Sequence, residues 1–133
     1  MKRILVADDH DLFRKGIKVV LTSNSDLHVC GEAANGRDAV ALALIEKPDI
    51  IVMDIHMPEL NGLDATRQIL AQMPATQVLI LSAFESENLV REMLSSGARG
   101  YVLKTDISDD LIKAVERSPM GDFISPPVSR TAF

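Results

Sequence analysis

Ile50-Ile51-Val52-Met53-Asp54 decides how this chain folds. Four apolar residues in a row, three of them β-branched, read as a strand buried on both faces. The run ends directly on a carboxylate. A strand covered on both sides needs helices above and below its sheet, so the flanking sequence should alternate strand with helix. Toward the N-terminus it does. Pro48 blocks continuation of a helix read over Asp38 to Ile45. Before that helix, Leu27 to Ala33 reads as a strand. Leu12, Phe13, Ile17, Val20 and Leu21 form a helical apolar stripe, with Asp11 as its expected N-cap. Ile4-Leu5-Val6-Ala7 opens the chain as a strand that ends at Asp8-Asp9.

Toward the C-terminus the alternation continues. Pro58 and Gly62 punctuate a loop, and Leu63 to Met73 reads as a helix with Leu63, Ile69, Leu70 and Met73 on its apolar side. Val78-Leu79-Ile80-Leu81 is a strand ending at Ser82. Leu89 to Leu94 is a helix stopped by Gly97. Tyr101-Val102-Leu103 is a short strand ending at Lys104, and Ser108 caps a last helix from Asp109 to about Arg117. Five strand–helix units in this order predict an α/β fold. Its parallel sheet is covered on both faces and joined by right-handed crossovers. Ligands of such folds sit outside the carboxyl ends of the strands. Beyond Arg117 the text changes to Ser118-Pro119-Met120-Gly121 and Ser125-Pro126-Pro127. The expected organisation is one domain over residues 1–117 and a linker over 118–133.

Composition narrows the function. The 133 residues are 47% apolar and 25% charged, as expected of a packed domain, and with 4% aromatics and no Trp the core must be aliphatic. A net charge of -5 argues against a nucleic-acid surface on these residues. The single cysteine, Cys30, permits no internal disulfide and reads as a small buried hydrophobe. Asp8 and Asp9 cut the first apolar run short of an export signal, and no run reaches the length of a membrane span. A soluble, cytoplasmic chain is expected.

The polar residues that end the strands carry the chemistry. Asp8 and Asp9, Asp54, Ser82 and Lys104 end four different strands, and in a parallel sheet those ends share one edge. Each has an ordinary reading when taken singly. Asp8-Asp9 is a capping turn, Ser82 a strand-end hydrogen bonder, Lys104 a solvated lysine, and Asp54 an even choice between structural and functional. Tyr101, alone, is more often a residue packed at a sheet edge. The joint placement decides against coincidence. Clustered carboxylates repel by roughly 4 kcal/mol per pair at ~4 Å and an effective dielectric near 20. Such a site raises its pKa values or binds a cation. Oxygen ligands favour a hard ion such as Mg2+. Lys104 and the Ser82 hydroxyl then suit a phosphoryl group, with a carboxylate as nucleophile. His10, His28 and His56 lack the spacing of a zinc site, and the glycines form no phosphate-cradling fingerprint.

At this point Leu5-Val6-Ala7-Asp8-Asp9-His10, Val52 to Pro58, Asn61-Gly62, Leu81-Ser82-Ala83 and Gly100 to Lys104 resemble the signature of response-regulator receiver domains. The likeness is greatest to the LuxR/NarL-type transcription regulators and runs from about Lys2 to Arg117. It implies a flavodoxin-like, doubly wound five-stranded sheet of order 2-1-3-4-5 with five helices. It also implies that Asp54 accepts a phosphoryl group from a sensor histidine kinase. Asp9 and Asp54 would ligate Mg2+ directly, Asp8 mostly through water, and the backbone carbonyl of His56 would complete the set. Ser82 would close on the phosphoryl group and Tyr101 swing inward behind it. The implied output surface is Leu89 to Arg117. Homodimerisation on phosphorylation and DNA binding through a C-terminal helix-turn-helix domain absent from these residues are further implications. Asp11 and Thr105 stand where many relatives carry Pro.

Three rivals are weaker. A haloacid-dehalogenase-type phosphatase needs a second Asp two residues after the nucleophile, where this chain has His56. A flavodoxin-like FMN carrier needs a Ser/Thr/Gly-rich loop after the first strand, and none follows. A pseudo-receiver that only binds partners is disfavoured by the intact set of five polar residues.

Overall fold

The computed structural model describes residues 2–106. The expected last helix, capped by Ser108, and the linker over 118–133 lie outside them. Five strands, β1 (Lys2–Ala7), β2 (Leu27–Ala33), β3 (Ile50–Asp54), β4 (Gln77–Ser82) and β5 (Gly100–Leu103), form one parallel sheet in the order β2-β1-β3-β4-β5. Between them run α1 (Asp11–Thr22), α2 (Gly36–Glu46), α3 (Gly62–Gln72) and α4 (Glu87–Ser95). This is the predicted flavodoxin-like architecture, with four α-helices among the described residues.

Strand periodicity divides the core in two, because successive side chains point to opposite faces. Leu5, Ala7, Ile51, Met53, Val78, Ile80 and Tyr101 face one side and pack with Ala39, Ala43, Leu63, Ile69, Val90 and Met93 of α2, α3 and α4. Ile4, Val6, Ile50, Val52, Leu79, Leu81 and Val102 face the other, against Ile17 and Leu21 of α1. Every residue of β3 is buried, as its unbroken apolar run requires. The edge strand β2 differs from its neighbours. His28 and Glu32 are exposed at this margin of the sheet, and Glu32 pairs with Arg14 and Lys18 of α1.

Local sequence sets the helix ends. Asn35, Asn61 and Ser86 cap α2, α3 and α4, each accepting the backbone N–H three residues on. Lys47 ends α2 in a left-handed conformation (φ 48°) just before Pro48, and Gly97 (φ +96°) follows α4. Two expectations fail at α1. The N-cap position is His10, whose side chain caps nothing, and Asp11 is the first helical residue, paired with Arg14 at 2.6 Å. Asp8 takes over the turn instead, its carboxylate accepting the His10 N–H at 2.8 Å. Leu12, expected on the buried stripe, is 84% exposed. The stripe is anchored by Ile17 and Leu21, and at about 100° per residue Leu12 lies about 140° from the first and about 180° from the second, on the side of the helix away from the sheet.

Candidate functional site

Register brings the strand ends together. Ala7 pairs with Met53, Asp54 with Leu81, and Ser82 with Leu103. Asp8, Asp54, Ser82 and Lys104 therefore meet at one edge of the sheet. Asp8 is wholly buried and Asp54 is 2% exposed. Lys104 Nζ donates to Asp54 Oδ2 at 3.1 Å and lies 3.3 Å from Asp8 Oδ2, which is buried without a hydrogen bond. One ammonium thus faces two buried carboxylates. The Phe13 ring of α1 lies 4.8 Å from the same ammonium, a cation–π contact that helps hold it at the sheet edge.

Carboxylate oxygens of Asp8, Asp9 and Asp54 and a ring nitrogen of His10 all lie within 4.8 Å of one another. Asp9 is partly exposed and its Oδ1 is 3.1 Å from His10 Nδ1. Burial, followed by the charge of Asp8, pushes the Asp54 carboxyl above its ordinary pKa, and the Lys104 hydrogen bond only partly offsets this. Burial pulls Lys104 down, but the hydrogen bond and charge of Asp54, with the charge of Asp8, outweigh it and leave the ammonium above its ordinary value. Both shifts describe a site with surplus negative charge and one protein cation. Three carboxylates gathered within 4.8 Å, the two buried ones sharing one ammonium, fit a hard divalent cation.

The backbone beneath Asp54 is shaped by a glycine. A Cβ on Gly62 would stand 2.0 Å from the Asp54 carbonyl oxygen, and the Gly62 N–H donates to Ile55 O at 2.7 Å. Only Gly lets the segment after β3 fold back this closely. His56 lies in that segment with its side chain exposed.

Ser82 is buried, and its hydroxyl is engaged within its own loop. Oγ donates to Phe84 O at 2.5 Å and accepts the Phe84 N–H at 3.1 Å. Tyr101 is wholly buried, its hydroxyl donating to Glu85 at 2.6 Å. It sits on edge strand β5, as its ordinary reading had it, with its ring already turned inward into the core. Cys30, expected to be buried, is only half-buried on edge strand β2, and burial raises its thiol pKa.

Three contributors escaped the sequence reading. His10 joins the acidic cluster, Phe13 touches Lys104, and Glu85 holds Tyr101. The adjacency of His10 to Asp9 was a usable signal. Phe13 read as core, and Glu85 stands in a loop with no periodicity to place it.

The family model of the response regulator receiver domain matches residues 4–116. The chain belongs to that family. Among curated proteins this receiver is 40% identical over 128 residues to the transcriptional regulatory protein DegU of Brevibacillus brevis, covering 96% of this chain and 54% of that protein. It is 38% identical to the response regulator protein VraR of Staphylococcus aureus over 125 residues, 94% of this chain and 60% of that protein. The receiver therefore spans little more than half the length of these relatives. A solved LuxR-family two-component response regulator from Aurantimonas sp. SI85-9A1 superposes with a TM-score of 0.90 at 31% identity, covering 96% of this chain and 91% of that one. The relatives are of the LuxR/NarL type inferred from the motifs.

Proposed function

We propose that this receiver is a phosphorylation-activated switch of a two-component system, and that Asp54 accepts a phosphoryl group from a sensor histidine kinase with Mg2+ bound. One observation carries the reading: a buried Asp54 in hydrogen-bond contact with Lys104, inside a cluster of three carboxylates. Asp9 and Asp54 would hold the ion directly, Asp8 through water, and the His56 carbonyl would complete the protein ligands. The bound ion supplies positive charge against the phosphoryl oxygens. An Asp54 oxygen forms a bond to phosphorus as the P–N bond of the kinase phosphohistidine breaks, and the electron pair returns to the imidazole. Lys104 follows the charge from the carboxylate to the phosphoryl oxygens. The chain turns over no other substrate; it promotes only its own phosphorylation and dephosphorylation.

The output is a change of shape. Ser82 would release Phe84 and donate to the phosphoryl group, with Tyr101 as the second switch residue. In a longer regulator the change would favour homodimerisation and act on DNA through a C-terminal helix-turn-helix domain, with residues 118–133 as the linker. No described helix is long and apolar enough to cross a membrane, and the reading places the switch in the cytoplasm.

Intact-mass measurement after acetyl phosphate, with and without Mg2+, tests the reading. One phosphoryl group gained only with Mg2+ supports it, and turnover of added phosphate esters would favour a phosphatase instead. Ser82→Ala should accept the phosphoryl group yet move less, because its hydroxyl makes the contact that differs between the two states. Backbone NMR shifts of the loop from Ser82 to Ser86, compared with and without phosphorylation, check this. Wild-type shifts in the variant would remove Ser82 from the coupling.

A further inference from the structure

The loop between β4 and α4 holds both switch residues. At its root the Ser82 hydroxyl makes two hydrogen bonds with the backbone of Phe84. One residue further on, the half-buried Glu85 carboxylate accepts the Tyr101 hydroxyl at 2.6 Å, across to the strand that pairs with β4. That distance lies in the short range of a hydroxyl bound to an ionised carboxylate. Phe84, between the two contacts, is 64% exposed and anchors nothing in the core. A short arm therefore joins the hydroxyl of Ser82 to the ring of Tyr101, and Glu85 is its grip.

We propose that Glu85 is a positioning residue that clamps Tyr101 inward and ties its ring to the Ser82 loop, so that loop and ring move as one unit. A hydrogen bond to a charged acceptor favours the clamped state over the released one by about ten to one or more. When Ser82 turns toward Asp54 it must give up Phe84, and the displacement of residues 83–85 reaches β5 through the carboxylate. The clamp itself stands on the Glu85–Tyr101 geometry; its use in signalling rests on the phosphoacceptor reading above.

The chain offers its own probe. Tyr101 is the only tyrosine and there is no tryptophan, so tyrosine emission reports this one ring. A carboxylate accepting the phenolic proton quenches that emission. In the full chain without acetyl phosphate, Glu85→Ala should raise emission, as the dominant clamped population is lost, and should open the ring to quenching by acrylamide. Glu85→Gln keeps an acceptor but not the charge. It should raise emission while leaving the ring as closed to acrylamide as in the wild type. Emission unchanged in both variants overturns the clamp, and a gain in acrylamide access equal in both overturns the positioning role. If Glu85→Ala fails to fold by circular dichroism, the Glu85→Gln emission and access decide alone. Mass measurement on the same samples after acetyl phosphate and Mg2+ keeps the two readings apart. Absence of phosphoryl gain there refutes the switch reading, whereas the clamp is judged on the unlabelled protein.

Discussion

Asp54→Asn gains no phosphoryl group from acetyl phosphate and Mg2+ under conditions in which the parent chain gains one. Asparagine keeps the shape and an acceptor oxygen but lacks the electron pair and charge needed to form an acyl phosphate. Neither neighbouring carboxylate is placed to replace it. Asp8 is wholly enclosed, with one oxygen on the His10 amide, and Asp9 is drawn toward His10. Labelling of the variant at the parental level would sink the assignment. The same substitution has a signature independent of phosphorylation. With its pKa raised on folding, Asp54 keeps its proton to higher pH in the native state than in the unfolded chain. The native state then binds more protons through that window, so metal-free stability falls as pH rises through it and levels off above the folded pKa. Asp54→Asn removes this downward step. Urea unfolding from pH 4 to pH 8 in chelator, run on both proteins, measures it.

Asp9→Ala carries the second large effect, on the metal. With Asp9 in the proposed ligand set, its removal should weaken Mg2+ by more than about ten-fold, since even changes one layer further out cost that much at metal sites. Asp9 also adds to the negative charge that disfavours ionised Asp54. Without Mg2+ the variant should therefore be the more stable protein, its thermal midpoint higher by about 2–8 °C for each kcal/mol of repulsion relieved. Opposite signs for the two measurements distinguish a ligand from a residue that merely supports the fold. Parental Mg2+ affinity in the variant removes Asp9 from the ligand set.

Much of this molecule follows from one-dimensional pattern. The all-apolar runs of β1, β3 and β4 identify central parallel strands, because only helices on both faces can cover them. Alternation with helical stripes then leaves little freedom in topology, and the carboxyl-end rule places Asp8, Asp9, Asp54, Ser82 and Lys104 on one edge before any coordinate is known. Those positions were legible because the backbone hydrogen bonds of a sheet convert strand ends into neighbours, whatever the intervening sequence.

Tertiary structure alone decided the rest. Sequence could not say that Lys104 lies between Asp8 and Asp54 and against Phe13, because a four-carbon stem reaches many places. Nor could it show that Asp8, rather than Asp11, organises the start of α1, since both have the right chemistry and only the path of the turn chooses. Leu12 is exposed because packing centres the buried face of α1 on Ile17 and Leu21, and Leu12 lies on the opposite side of the helix. Glu85 meets Tyr101 for the same kind of reason. A loop has no repeat from which direction can be read, so its contacts are fixed by where its two ends are held, here by β4 and α4.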